Sequence, residues 1–435
     1  MPNFLTQDQN HDKNYVAFSL IGLLFLLFLM IPIPLPLTEG KLLLADVIAP
    51  LMVVRLIQRR PKQPFLMLYL GWCLLATAFQ WFHGEMGLYN IAIVGYMAVI
   101  YLYFRETPLP SPQLQLRVGF VVLALMFITW LALVLFGGDS ALVHRMFYFD
   151  PHGAVLSSGP LMSRFQFLFT NPNLLGVAYI LPLALILPGT AEFCRQQHKR
   201  WPAFLLFILL GVLCLPLYST MSKHSVMSFA LLGALFIYSG IIPRRVAICL
   251  ALVGVLAFGL LCLSTVWFRS YPAVRETPWF DFSHTSNYMT HQRVYADIIQ
   301  QNGTSHAFFG NSAQQLKQLY PQYAEPHREW MAQVLEPYCA LDFLAPFTRF
   351  MDPHNEYLNT AAFFGIPATI FLIIFLIMHF FSAVRCAYWP MIMWLPALLL
   401  ACFWDDLGSK RWIWAMLGLL AARLEVYRRT PRSHA

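Results

Sequence analysis

The chain has 435 residues, of which 58% are hydrophobic and only 11% are charged, whereas an ordinary soluble domain has roughly 25% charged residues. This composition excludes a soluble globular protein, and the hydrophobic content is enough for about ten to twelve membrane spans of about 20 residues each. The formal net charge is +8. Most Lys and Arg residues lie in short clusters at the ends of apolar runs, which indicates membrane topology rather than nucleic-acid binding.

Twelve apolar runs predict about twelve transmembrane helices in an all-α integral membrane protein. We expect a single polytopic domain over residues 1–435, with one large periplasmic loop, residues 268–357, inserted between the ninth and tenth helices. The runs cover residues 15–36, 41–57, 64–82, 88–104, 116–137, 172–189, 202–219, 225–242, 246–267, 358–381, 389–404 and 411–424.

Clusters of basic residues predict the orientation of these helices. If the spans alternate in direction, six clusters fall on one side, and an excess of Lys and Arg marks the cytoplasmic side. Both termini are then expected in the cytoplasm. The clusters are Arg59, Arg60 and Lys62; Arg105 and Arg117; Arg195, Lys199 and Arg200; Arg244 and Arg245; Arg385; and Arg423, Arg428, Arg429 and Arg432.

The long loop is rich in aromatic residues, His, Gln and Pro. Residues 293–301 and 312–320 have amphipathic spacing, which predicts short helices within the loop. We expect this loop to carry the chemistry of the protein.

Several basic residues lie on the side that the positive-inside trend disfavours, where an anionic ligand or an ordinary surface ion pair would explain each of them. Arg164 precedes a span that starts at residues 171–173, Lys223 and His224 lie at the mouth of another span, and Arg293 opens an amphipathic segment. Basic side chains at such positions are well placed to bind a lipid phosphate. The other cations of this side are Arg145, Arg328, Arg349, Lys410 and Arg411.

The loop ends in Asp352–Asn359 (Asp-Pro-His-Asn-Glu-Tyr-Leu-Asn) and continues directly into an apolar helix. Pro353 suits the approach to a first helical turn, which places His354 and Asn355 at the helix N-terminus on the non-cytoplasmic surface. An imidazole is suited to general-base catalysis near neutral pH. His354 is therefore a candidate base, and the alternative is a polar anchor at the membrane interface.

Motifs of several enzyme classes do not occur. The histidines form no HxxxH or HExxH pattern and the eight cysteines no CxxC pattern, so we expect no metal site and no cofactor. GxSxG, P-loop and GxGxxG motifs are also lacking in their expected contexts, which argues against a lipase, an ATPase or a dinucleotide enzyme. The energy for any reaction should then come from the substrate.

In their order along the chain, these features resemble the O-antigen ligase and O-antigen polymerase family. The likeness covers nearly the whole chain as architecture but only short segments as motif. These segments are Asn171-Pro-Asn173 at the start of a span, Ser219–Ser225 at the start of the next outer span, Arg293–Gly310 in the loop, and His354–Leu358 at its end.

The resemblance implies a metal-independent, inverting glycosyl transfer at the periplasmic face of the bacterial inner membrane. The donor would be an O-antigen glycan on undecaprenyl diphosphate, and in a ligase the acceptor is the lipid A-core oligosaccharide of lipopolysaccharide. Carried over to this chain, Arg293 and Lys223 bind the diphosphate, and His354 takes the proton from the attacking hydroxyl. Asn355 and His224 would support these residues.

One position departs from the family pattern. The family usually has Arg where this chain has Lys223, and Lys cannot form the bidentate fork of a guanidinium group. This departure makes Arg164 a stronger candidate for an additional diphosphate ligand.

Related activities and one different class of protein stay open. We favour a ligase because of the compact length, the basic outer residues and the lack of an extra C-terminal domain, over an O-antigen polymerase or a protein O-oligosaccharyltransferase. A transporter of lipid-linked glycans would also span the membrane many times, but it should show repeat symmetry and charges near mid-membrane. Asp46 and Arg55 are exceptions here, and both lie close to the ends of a predicted span.

Overall fold

The protein is mostly helical in the computed structural model. The structure describes residues 13–33, 43–84, 88–107, 109–136, 148–149, 164–165, 167–169, 172–196, 200–219, 225–238, 246, 249, 282–327, 353–403 and 410–429. The helices before the long loop are α1 (Lys13–Met30), α2 (Leu44–Arg59), α3 (Pro64–Phe82), α4 (Leu88–Glu106), α5 (Pro112–Phe136), α6 (Pro172–Ala178), α7 (Ile180–Gln196), α8 (Arg200–Leu213), α9 (Leu215–Ser219) and α10 (Ser225–Tyr238).

The loop contributes three helices, and its last residues lead into the final part of the bundle. The predicted amphipathic segments lie largely within the first and third of these loop helices. The elements are α11 (Phe282–Gln301), α12 (Thr304–Phe309), α13 (Ala313–Ala324), a 3₁₀ turn (Glu325–His327), α14 (Glu356–Phe364), α15 (Ile366–Cys386), α16 (Trp389–Ala401) and α17 (Arg411–Arg429).

A pair of two-residue strands lies between α5 and α6 and was not predicted from the sequence. Strand β1 (Tyr148–Phe149) pairs antiparallel with β2 (Arg164–Phe165), so that Phe149 is opposite Arg164. Arg164, a predicted diphosphate ligand, therefore has its backbone in a short strand.

Four helices are long and apolar enough to cross a membrane: α3, α4, residues Pro112–Leu135 of α5, and α15. Shorter apolar helices cover Val16–Met30, Leu174–Thr190, Phe204–Leu217 and Trp389–Ala401. The ninth predicted span, residues 246–267, lies outside the described residues except for positions 246 and 249. The count of twelve spans and the periplasmic side of the loop stay predictions.

Exposed apolar side chains recur at helical spacing on the outer helices. Such stripes would be unfavourable in water but are stabilised by lipid chains, because both are apolar. The stripe on α15 consists of Ile366, Ile370, Ile374, Met378 and Phe381, and the stripe on α5 consists of Val121, Leu125, Ile128 and Leu135.

Helix α17 occupies the interior of the bundle, because nearly all of its residues from Trp412 to Ala421 are buried. It packs closely against α4 at Gly418, where an added Cβ would lie 2.5 Å from the carbonyl oxygen of Tyr101 and 2.9 Å from Cβ of Phe104. Small residues permit such close helix contacts in membrane proteins.

A bidentate ion pair joins the first turns of α2 and α17. Arg411 Nε donates to Asp46 Oδ1 at 2.8 Å, and its Nη2 donates to Oδ2 at 3.0 Å. The Asp46 carboxylate also accepts bonds from Tyr96 Oη at 2.5 Å and from the Leu43 amide at 2.8 Å. Arg411, one of the cations predicted for the outer side, thus has the ordinary explanation of an ion pair.

Arg423 bonds to a carbonyl that a proline leaves without its usual donor. Pro188 lies inside α7 and lacks an N–H group, so the carbonyl of Ala184, four residues earlier, has no helical partner at that position. Arg423 donates to this oxygen at 2.8 Å and to Gln115 Oε1 at 2.9 Å. A cation that the sequence analysis used only for topology therefore also holds α5, α7 and α17 together.

Candidate functional site

The turn before α14 has the geometry of a capped helix start. Asn355 is extended and buried, and its side-chain oxygen accepts a hydrogen bond from the Leu358 amide at 3.0 Å. His354 has a φ of 47°, a left-handed conformation that costs a residue with a side chain about 1 kcal/mol or more. Surrounding contacts must therefore hold this residue in place.

The C-terminal end of α16 supplies many of these contacts. The last carbonyls of a helix have no partner within the helix and need donors from elsewhere. The Glu356 amide donates to the carbonyl of Cys402 at 2.8 Å, and Tyr357 Oη donates to that of Leu399 at 2.8 Å. The carbonyl of Phe403 accepts from Asn355 Nδ2 at 3.4 Å. The His354 turn is thus bound to the end of α16.

Helix α11 packs against the other side of the same turn. Gln292 Nε2 donates to the Phe403 carbonyl at 3.0 Å and lies 3.5 Å from the carbonyl oxygen of His354. The preceding residue, His291, is fully buried and interacts electrostatically with His354. Two consecutive residues of α11 therefore contact or closely approach the candidate base.

His291 is held neutral by its surroundings. Burial, together with the nearby His354 imidazole, lowers the pKa of His291 to about 4. Its Nδ1 forms a hydrogen bond with the hydroxyl of Tyr320 on α13, and burial raises the pKa of that hydroxyl. The tyrosine stays protonated and can donate the bond, so a neutral pair joins α11 to α13 beside the turn.

The structure places two of the predicted site residues, His354 and Arg293, on elements that contact each other. Arg293 is exposed and directly follows Gln292 on α11, so the helix that contacts the His354 turn also carries the candidate diphosphate ligand. His354 is half-buried and Asn355 is the N-cap residue. For Arg164 only the backbone is described, and Lys223 and His224 lie outside the described residues.

Three residues near the turn, His291, Gln292 and Tyr320, were not predicted from the sequence as part of the site. A signal for His291 was present, because it starts a run of buried positions with helical spacing that continues at Val294, Tyr295 and Ile298. No comparable signal marks Gln292, whose partner Phe403 is 111 residues away.

Two glycines, Gly310 in the loop and Gly365 between α14 and α15, allow the loop to pack closely against the bundle. A Cβ on Gly365 would lie 1.9 Å from the carbonyl oxygen of Phe308, and a Cβ on Gly310 would lie 2.4 Å from the backbone of Phe363. Gln80, at the end of α3, donates to the carbonyls of Phe309 and Phe363 at 3.1 and 2.7 Å. These contacts fix α12 against α3 and the junction of α14 and α15.

Within the described part of the chain, no three His, Cys, Asp or Glu side chains form a group that could hold a metal ion. Comparisons with protein-family models, curated proteins and solved structures give no match to this chain.

Proposed function

We propose that the protein is an O-antigen ligase, a glycosyltransferase that moves a glycan from undecaprenyl diphosphate to the lipid A-core oligosaccharide at the periplasmic face of the bacterial inner membrane. The observation that supports this most directly is the packing of the His354 turn against His291 and Gln292, immediately before Arg293. A base and a cation on neighbouring elements are the two groups that the transfer requires.

The proposed reaction is a single displacement. An acceptor hydroxyl oxygen attacks the anomeric carbon while His354 takes its proton, and the bond from that carbon to the diphosphate oxygen breaks. Undecaprenyl diphosphate leaves with the bonding electron pair, and the configuration at the anomeric carbon inverts. Arg293 stabilises the negative charge that develops on the leaving group, since a guanidinium binds phosphate oxygens in a bidentate manner.

The surroundings of the base suit this role. Because His291 is held neutral, it adds no positive charge beside His354 near pH 7. The backbone of His354 lies between the end of α16 and α11, which limits the freedom of its ring to move away from the acceptor. Lys223 and Arg164 complete the proposed diphosphate site, with Lys223 acting as a point charge.

The test is transfer in detergent from purified undecaprenyl-diphosphate glycan to lipid A-core, with EDTA present. His354→Ala and Arg293→Ala should each lower transfer by about 100-fold or more while the folded fraction is retained. Matched controls are His83→Ala, which removes an exposed histidine at the end of α3, and Lys317→Ala, which removes an exposed cation on α13. Both controls should keep wild-type transfer.

The acceptor decides among the related activities. Chain growth on the lipid-linked glycan without transfer to lipid A-core would assign the protein as a polymerase instead. Transfer to neither acceptor, by a folded wild-type protein, would rule out the proposal.

A further inference from the structure

The two phenylalanines at the end of α12 have different surroundings. Phe309 faces inward, where its ring stacks on Phe79 at 4.3 Å and parallel to Trp72 at 5.8 Å between centroids. Phe308 has 48% of its surface exposed, although its ring edge contacts Trp72 at 4.9 Å. The ring of Phe309 thus holds helix α12 against the bundle, while the ring of Phe308 is exposed.

The exposed ring continues a surface that faces lipid. The carbonyl of Phe308 packs closely against Gly365. The residue after Gly365, Ile366, begins the exposed apolar stripe of α15. Trp81 and Phe82 lie in the last turn of α3, one turn beyond Phe79, and are 66% and 88% exposed. Exposed aromatic rings therefore lie both at the end of α3 and beside the start of the apolar stripe of α15.

Charge is excluded from this part of the loop. Residues 298–316, between Asp297 and Lys317, contain no Asp, Glu, Lys or Arg, although charged residues flank the segment on both sides. A solvated surface loop has no need of such a gap, whereas a segment that touches the membrane interface avoids charge and favours aromatic residues.

We propose that Phe308, Trp81 and Phe82 form an aromatic anchor that inserts into the phospholipids of the outer leaflet, at the level of the glycerol groups and upper acyl chains. The loop then rests on the bilayer as well as on the bundle. Aromatic rings favour this depth because an apolar body and a polarisable face suit the boundary between water and hydrocarbon.

The anchor has a consequence for the height of α11. Asn302, just after α11, donates to Asn311 Oδ1 at 2.7 Å, and the Asn311 amide donates to the carbonyl of Ala362 at 2.7 Å. These bonds and the lipid contact at Phe308 together hold α11 at one distance from the membrane surface, and with it Arg293 at one height relative to a lipid diphosphate. This consequence rests on the proposed function, but the lipid contact does not.

The test places photoreactive benzoylphenylalanine at position 308 of the full chain, reconstituted in nanodiscs of phosphatidylethanolamine and phosphatidylglycerol. Position 366 serves as the lipid-facing control, and position 318, an exposed Gln on α13, serves as the water-facing control. After illumination, intact-protein mass spectrometry should show phospholipid adducts at 308 at a level similar to 366 and about tenfold above 318.

Adduct formation does not depend on catalysis, so this experiment tests the anchor independently of the proposed glycosyl transfer. A yield of lipid adduct at 308 no higher than at 318 would overturn the anchor, and so would an adduct with the mass of a second protein chain. If the wild type transfers glycan, Phe308→Asp should lower transfer about tenfold in nanodiscs, because a charge at this depth is unfavourable, while Phe308→Trp should keep it.

Discussion

Two histidines near opposite ends of α14–α15 differ in what holds them. His379 is half-buried in α15 and its ring is held by neighbours: Nε2 lies 2.8 Å from the Tyr101 hydroxyl, Nδ1 lies 2.8 Å from the carbonyl of Phe375, and the rings of both neighbours pack against it. His354 is half-buried in a left-handed turn whose backbone is fixed by α16 and Gln292. Ring nitrogens that bond inside the bundle indicate a structural group, whereas a backbone fixed at the start of a helix suits the base that we propose.

The sharpest test of this comparison replaces each histidine by alanine. His354→Ala should lower the rate of glycan transfer by about 100-fold or more, the usual contribution of a general base, with little change in melting temperature. His379→Ala should keep the transfer rate of the folded fraction but lower the free energy of unfolding by about 1–3 kcal/mol, because the buried Tyr101 hydroxyl loses its 2.8 Å partner and keeps only the longer bond to Gln63 Oε1 at 3.4 Å. Paired transfer and thermal-unfolding assays measure both effects, and a reversed pattern would assign the roles the other way.

The next largest effect concerns the lock that holds the loop to the bundle. Gly365→Ala should destabilise the docked loop by about 3 kcal/mol or more, because the methyl group meets the Phe308 carbonyl and the residue has a φ of 84°. Gly303→Ala is the matched control, since Gly303 has a φ of 95° but no atom within 4 Å of an added Cβ. Limited proteolysis of residues 282–327 measures docking, and equal cleavage in the two variants would show that strain alone, without the clash, explains the result.

The positions of the helices were predictable because burial in lipid or core imposes long apolar runs: helices lie at the eleven predicted segments within the described part of the chain, and the ninth lies outside it but for two positions. The helix start at Asn355 was also predictable, because capping is local chemistry between residues three apart. The partners of Gln292 and Arg411 were not. Each pairs across more than a hundred residues, and such contacts depend on how distant helices align rather than on any local pattern.

Acid should weaken the contact between α11 and α13. The pKa of His291 is lowered to about 4 in the folded protein, against an ordinary value of 6.5. Between these values the unfolded chain binds the proton more tightly, so stability is full above about pH 6.5, falls as the pH decreases towards 4, and then levels off.

His291→Asn tests this acid sensitivity, because it removes the titrating ring while keeping a hydrogen-bonding group near the position of Nδ1. Wild type should lose on the order of 2 kcal/mol more than the variant between pH 7 and pH 4.5. Chemical unfolding monitored at both pH values measures this difference, and all other titrating groups are common to the two proteins. Parallel pH slopes would mean that His291 is not held neutral.

The smallest expected effect distinguishes positioning of the His354 turn from chemistry at its ring. Gln292→Leu removes the bonds to the carbonyls of Phe403 and His354 without changing charge, so the turn keeps its α16 contacts but loses its link to α11. We expect kcat to fall about tenfold, since a misplaced base slows the chemical step, while KM changes little because Arg293 is intact. Gln300→Ala, an exposed position on the same helix, is the control and should leave both constants unchanged. A rise in KM with an unchanged kcat would instead place Gln292 in substrate binding. In that case α11 would not be what positions the His354 turn for catalysis.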